Sequence, residues 1–148
     1  MDVDTTAAGA NLVLADGSKN KVYGSYVAEI YESCELNEEG TEVVDSKKLH
    51  KYDGAVFSRR SMNISGSGKL EIVAENEGLG SEMHMTINGG DIKIKSGNDG
   101  INTSEDNISV FTMNDGNVSI QVTGETGEGD GIDSNGWLIV NGGSVNTA

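Results

Sequence analysis

Glu77, Asp99 and Asp130 recur at one position of a repeating pattern, each just before a glycine and an aliphatic residue: Glu77-Gly78-Leu79, Asp99-Gly100-Ile101 and Asp130-Gly131-Ile132. Asn102 and Asp133 follow three residues after Asp99 and Asp130. Stacked in layers about 5 Å apart, such carboxylates repel unless a cation lies between them or one takes a proton. Calcium suits that arrangement, because it accepts about six to eight oxygens from carboxylates, Asn amides and backbone carbonyls in irregular geometry. The expected ligands are therefore Asp99, Asn102, Asp130, Asp133 and Glu77, with Glu105 or Asp106 to complete the set. The competing reading is that each Asp or Asn caps a turn by accepting from local backbone N–H groups, with glycine supplying positive φ. No EF-hand loop and no nine-residue calcium repeat is present.

The elements that must position these acids form a repeat. Val56, Leu79, Ile101 and Ile132 share a column at steps of 23, 22 and 31 residues, and Ser58, Ser81, Thr103 and Ser134 follow two positions later. An alternating run then aligns Met62, Met85, Phe111 and Leu138, and beside them Ile64, Ile87, Met113 and Val140. A glycine turn comes next, at Gly68, Gly90, Gly116 and Gly143, before Leu70/Ile72, Ile92/Ile94, Val118/Ile120 and Val145. Short strands at this period, without a helical segment, exclude ankyrin and TPR arrays, and the irregular step excludes a leucine-rich repeat. The pattern predicts an all-β, right-handed parallel β-helix, a solenoid with about four coils from residue 52. Stacking would also set Lys69 beside Asp91 and Glu71 beside Lys93.

Before the repeat, residues 1–10 read as a frayed lead-in, and NLVLADGSKNKVYG (11–24) as two short strands around a turn. Residues 25–51 read as an irregular insertion or cover, in which Val27, Ile30, Tyr31 and Cys34 allow a short helix. Residues 11–148 are expected to make one domain that stops in mid-coil at Ala148, leaving an open edge able to take another chain.

Composition narrows the partners. The chain has 148 residues, 21 glycines, no proline, and 24 acidic against 10 basic residues for a net charge of -14. That balance excludes a nucleic-acid or anionic-membrane partner, since no basic stripe releases counterions from phosphates. No stretch approaches the roughly 20 apolar residues that insert across a bilayer, and residues 1–20 lack a signal peptide's charged start and apolar run. Cys34 is alone and forms no intrachain disulfide.

The run DGAVFSRRSMNISGSGKLEI (53–72), the recurrent Asp-Gly-Ile corners, the Asn-Gly-Gly turns and the earlier NLVLADGS together resemble bacterial secreted carbohydrate-binding domains of pectate-lyase-like parallel β-helix fold. The resemblance covers residues 11–24 and 52–148. It implies a calcium-bound, secreted or cell-surface protein that binds plant cell-wall polysaccharide, cellulose-like or polygalacturonate-like. Asn76-Glu77-Gly78-Leu79 departs from the Asp-Gly-Ile corner, and residues 25–51 depart as an insertion.

Other chemistries are thinner. His50 and His84 are the only histidines, and His84 reads as an exposed strand residue and not a base. The enzyme alternative is a calcium-dependent pectate lyase, in which calcium acidifies the proton beside a uronate carboxylate and Arg59, Arg60 or Lys93 removes it. Arg is a poor base, which makes Arg59 and Arg60 better partners for uronate charges. Trp137 aligns with His84, is expected to face out next to the Asp130 corner and offers a ring on which a sugar can lie. The leading expectation is thus non-catalytic polysaccharide binding; a third is a surface protein that stacks end to end into fibres.

Overall fold

Residues whose alternate side chains are apolar enter strands with one face turned inward, and that pattern runs through most of the molecule. The computed structural model describes residues 9–24, 31–48, 54–124 and 129–148. Its strands are β1 (Gly9–Leu14), β2 (Lys19–Gly24), β3 (Tyr31–Leu36), β4 (Val43–Lys48), β5 (Gly54–Ser58), β6 (Ser61–Gly66) and β7 (Lys69–Ala74). They continue with β8 (Glu77–Ser81), β9 (Met85–Ser96), β10 (Ile101–Thr103), β11 (Val110–Val122), β12 (Ile132–Ser134), β13 (Trp137–Val140) and β14 (Ser144–Thr147). No helix occurs among the described residues, and the protein is all-β with mostly parallel sheets.

Eight strands form the larger sheet. One arm runs β1-β6-β9-β11-β13 and the other β2-β7-β9-β11-β14, because β9 and β11 pass through both. A four-stranded sheet, β5-β8-β10-β12, covers the other side of the core. Every pairing in these two sheets is parallel, and the register is the one read from the repeat: Val56↔Leu79↔Ile101↔Ile132, Met62↔Met85↔Phe111↔Leu138 and Ile72↔Ile94↔Ile120↔Thr147. Ile64, Ile72, Leu79, Ile87, Ile92, Ile101, Phe111 and Met113 lie fully inside. Burying each such side chain contributes roughly 1.5–3 kcal/mol, which makes these columns the main source of stability.

The turn between the two arms of the larger sheet uses left-handed backbone at Gly66, Gly90, Gly116 and Gly143, with φ of 94°, 101°, 99° and 81°. Gly68 precedes Lys69 as Gly90 precedes Asp91 and keeps its place in the register, while the left-handed residue of this first turn is Gly66, where a Cβ would strike the Leu14 carbonyl. Beside the turn an exposed amide ladder climbs the stack: Asn114 Nδ2 donates to Asn88 Oδ1 and Asn141 Nδ2 to Asn114 Oδ1, both at 2.8 Å.

Of the expectations for the first 50 residues, one holds and one changes. β1 and β2 are the two short strands around a turn, and they lie parallel to β6 and β7, adding one more layer to the stack. The short helix allowed at Tyr31 and Cys34 is absent, because both belong to β3, which pairs antiparallel with β4. Their connection is set by Asn37, whose Oδ1 accepts the Thr41 N–H at 2.9 Å, and by Gly40 at φ 69°. Leu36, Val43 and Val44 on this hairpin are exposed. Residues 1–8, 25–30 and 49–53, including Val27, Ile30, His50 and Tyr52, lie outside the described residues.

Candidate functional site

The acidic corner is built where the chain enters the four-stranded sheet. Gly78 and Gly100 come directly after Glu77 and Asp99, and each is too close to the larger sheet to carry a side chain. A Cβ on Gly78 would strike Ile94, one on Gly100 would strike Ile120, and each would also stand 2.6–2.7 Å from the next layer's carbonyl. Backbone bonds repeat through the layers: the Gly78 N–H donates to Asp99 O at 3.1 Å, and the Gly100 N–H to Asp130 O at 2.9 Å. Asp99 and Asp130 therefore occupy adjacent layers at one corner, as the spacing required.

Their side chains are held differently. Glu77 is 7% exposed and Asp99 8%, whereas Asp130 is exposed and Asp133 half-buried. Asn102, on β10, donates from Nδ2 to both neighbours, at 3.0 Å to Glu77 Oε1 and 3.2 Å to Asp99 Oδ2. The other Asp99 oxygen accepts the Asp130 N–H at 2.7 Å. The two buried carboxylates are thus bridged by one amide, a solution beyond the cation or shared proton that the sequence suggested. Gly80, paired with Asn102 across the strands, has no room for a side chain because of Phe57: a Cβ there would stand 2.8 Å from that ring and 3.4 Å from Glu77 Oε2.

Burial raises the Asp99 pKa above its ordinary 3.8; the Asp130 N–H opposes that, the charges of Asp133 and Asp130 add to it, and the Asn102 bond opposes it. Asn102 Oδ1 is buried and has no hydrogen-bond partner. Glu77 and Asp99 offer hard carboxylate oxygens that suit calcium, and Asn102 would add its orphaned Oδ1 with the amide turned over, since it now points Nδ2 at both acids. Among the described residues, however, no three His, Cys, Asp or Glu side chains gather as a metal-holding group. Asp130 and Asp133 flank the cluster. Glu105 and Asp106 stand past the far end of β10, where Asp106 accepts from Asn135 Nδ2 at 2.9 Å.

The remaining candidates are dispersed. Arg59 and Arg60 form the exposed turn between β5 and β6; the Arg60 N–H donates to Ser58 Oγ at 3.1 Å, and its carbonyl accepts from Ser81 Oγ at 2.7 Å. This turn lies at the opposite end of the four-stranded sheet from Glu77, four strand steps or roughly 13 Å along β8. Trp137 is 66% exposed on β13 and does align with His84, but β12 separates it from Asp130. His84 is half-buried, and its Nδ1 accepts the Val110 N–H at 3.1 Å, so the ring serves the strand.

A protein-family model described as carbohydrate-binding domain-containing protein matches residues 5–148. The chain belongs to that family. No curated protein and no solved structure matches it. Three exposed lysines that sequence reasoning did not single out, Lys19, Lys21 and Lys95, share one arm of the larger sheet with Tyr23. The signal was present: β2 repeats β7 residue for residue, from Lys19↔Lys69 to Tyr23↔Val73. It was masked by a turn two residues longer, Ala15-Asp16-Gly17-Ser18 against Ser67-Gly68.

Proposed function

We propose that the protein is a non-catalytic binder of plant cell-wall polysaccharide, cellulose-like or polygalacturonate-like, secreted or held at a cell surface. The observation that carries this reading is the family match over residues 5–148. The layers are proposed to wind as a right-handed parallel β-helix, a reading supported by parallel register at every step of the repeat. Such a stack presents long flat faces along which an extended glycan can lie.

Calcium is part of the proposal. Glu77, Asp99 and Asn102 would hold it, with Asp130 and Asp133 adding negative charge. Bound there, the ion would neutralise the buried carboxylates, and the Asn102 amide would turn over so that Oδ1 replaces Nδ2 on their side.

Binding is favoured over lyase chemistry by the layout of the four-stranded sheet. A lyase needs its calcium and its base on one sugar ring, whereas β8 puts the arginine turn and the acidic corner at opposite ends. The test is retention on insoluble polysaccharide alongside a spectrophotometric assay for unsaturated product. Retention without product is expected. Product formation from polygalacturonate with calcium would replace the binder by the lyase.

A second reading, end-to-end self-association, is favoured by one observation. Leu138 and Val140 continue columns whose earlier members, Phe111 and Met113, are fully buried, yet both are about half exposed on β13. Sedimentation across a concentration series should then show growing oligomers, and a constant monomer would exclude it.

A further inference from the structure

We infer that the outward side of the β2-β7-β9-β11-β14 arm is the glycan-holding surface and that its lysines take the carboxylates of an acidic polysaccharide directly, without a bridging metal. This inference rests on the carbohydrate-binding reading above and names a place and a ligand chemistry for it.

Charge segregation is the first observation. Five of the ten basic residues of the chain point outward from this one arm: Lys19 and Lys21 on β2, Lys69 on β7, and Lys93 and Lys95 on β9. Among the described residues, three acids lie along those outward rows: Glu71 and Asp91 within them, and Glu75 one position past β7. Glu71 is engaged with Lys21 and Asp91 with Lys69, both at 3.1 Å. Lys19, Lys93 and Lys95 are exposed and have no ion pair among the described residues. A chain of net charge -14 thus keeps one strip where five lysines outnumber three acids, and three of those lysines make no ion pair among the described residues.

Shape is the second observation. Three shallow concavities follow one another along this side. One of about 140 Å³ lies among Lys19, Lys69 and Lys93, the next of about 290 Å³ among Lys93, Lys95 and Gln121, and the third of about 560 Å³ between Tyr23, Lys95 and Thr123, with Glu75 also on its wall. Tyr23 is 71% exposed at the end of its strand, a ring able to carry the C–H face of a sugar. Beyond the lysines, the outward residues of β11 and β14 are Asn117, Ser119, Gln121, Ser144 and Asn146, uncharged donors and acceptors suited to sugar hydroxyls.

The chemistry follows from these two. Each free ammonium offers three donors to a carboxylate, and charge-assisted bonds of this kind are about twice as strong as neutral ones. Lys93 and Lys95 face the same way two residues apart, near 7 Å, so they present a pair of charges along β9. Contacts of exposed charges are screened, so the affinity must fall with salt. Nothing in this set of contacts calls for calcium.

The experiment is calorimetric titration of the intact protein with soluble polygalacturonate at low and high salt, with and without added calcium, for the wild type, Lys93→Gln/Lys95→Gln, Lys93→Arg/Lys95→Arg and Tyr23→Ala. The wild type should bind more weakly at high salt and equally with and without calcium. The Gln pair should lose about tenfold in affinity or more, the Arg pair should retain it, and Tyr23→Ala should lose part. All variants should melt with the wild type, since the altered residues are exposed. Unchanged affinity in the Gln pair, binding that requires calcium, or equal binding of a sulfated polymer or single-stranded DNA would each overturn the inference. Retention on neutral cellulose with no binding of polygalacturonate would overturn it while leaving the carbohydrate-binding reading intact; no binding of any polysaccharide would overturn both.

Discussion

The two parallel sheets come from one repeat, yet they treat charge in opposite ways. On the four-stranded sheet, Glu77 and Asp99 are drawn inside and tied by the Asn102 amide and the Asp130 N–H. On the β2-β7-β9 arm, Lys21, Glu71 and Lys93 stay outside and alternate in sign across the strands. Glycine marks the difference: Gly78 and Gly100 let the acidic corner close onto Ile94 and Ile120, whereas the outward rows of the lysine arm contain none. Buried charge of this kind shapes the corner, and exposed charge is what a ligand in solution can reach. The first is a matter of stability and the second of recognition, and mutation should separate them.

The largest expected effect lies where the two sheets touch. Gly100→Ala would push a methyl group into Ile120 and toward Gly131 O, with no flexible tip to yield on the backbone side. A cost of about 3 kcal/mol is expected, read as a lower urea midpoint with an unchanged slope. Gly124→Ala is a control with open space around the Cβ, strained only by its φ of 68°, and should cost less. Equal midpoints for the two variants would mean that the corner is not packed as described.

Calcium comes next. If the acidic corner holds the ion, calcium at a hundredfold over its dissociation constant should stabilise the wild type by about 2.7 kcal/mol, and Asp99→Asn should lose most of that gain. A melting temperature indifferent to calcium and chelator would remove the metal from the proposal. The lysine arm should not notice: Lys93→Gln/Lys95→Gln is expected to keep the full calcium shift.

In chelator, pH probes the same carboxyl. The Asp99 pKa is raised in the fold, so the folded state favours the protonated form. Its contribution is fully present below the unfolded value near 3.8 and is lost as pH rises through the raised one. The metal-free wild type should therefore lose melting temperature across that window as pH increases, and Asp99→Asn should lose less. Parallel pH profiles would show that Asp99 is not the group responsible.

Much of this architecture was legible in the chain. The columns through Leu79, Ile101, Met85 and Phe111 could be read because a two-residue alternation and a glycine corner recur with few insertions between 54 and 124. Lys69 beside Asp91 and Glu71 beside Lys93 followed from the same alignment. The β3-β4 hairpin was not legible, since its residues pair only with each other and share no column with the repeat. Nor was the amide bridge, because Asn102 reaches Glu77 across 25 residues, between two layers of the stack. The lysine strip escaped because two extra residues at the β1-β2 turn hid the layer that contributes Lys19, Lys21 and Tyr23.

The smallest expected effect is the most exacting test of the contrast. Lys69 and Asp91 meet at 3.1 Å in register, but the lysine side chain is 62% exposed and the aspartate 33%. Water screens such a pair, and ordering two flexible side chains offsets part of the attraction, so Lys69→Ala should cost no more than about 1 kcal/mol. A double-mutant cycle with Asp91→Ala isolates the coupling, which should shrink further as salt is added. The same substitution has a second readout, because it leaves Asp91 unneutralised beside Lys93. An acidic glycan should then bind more weakly, although the fold barely changes. A coupling energy of several kcal/mol would instead make the lysine arm a structural device like the acidic corner, and the separation between the two sheets would fail.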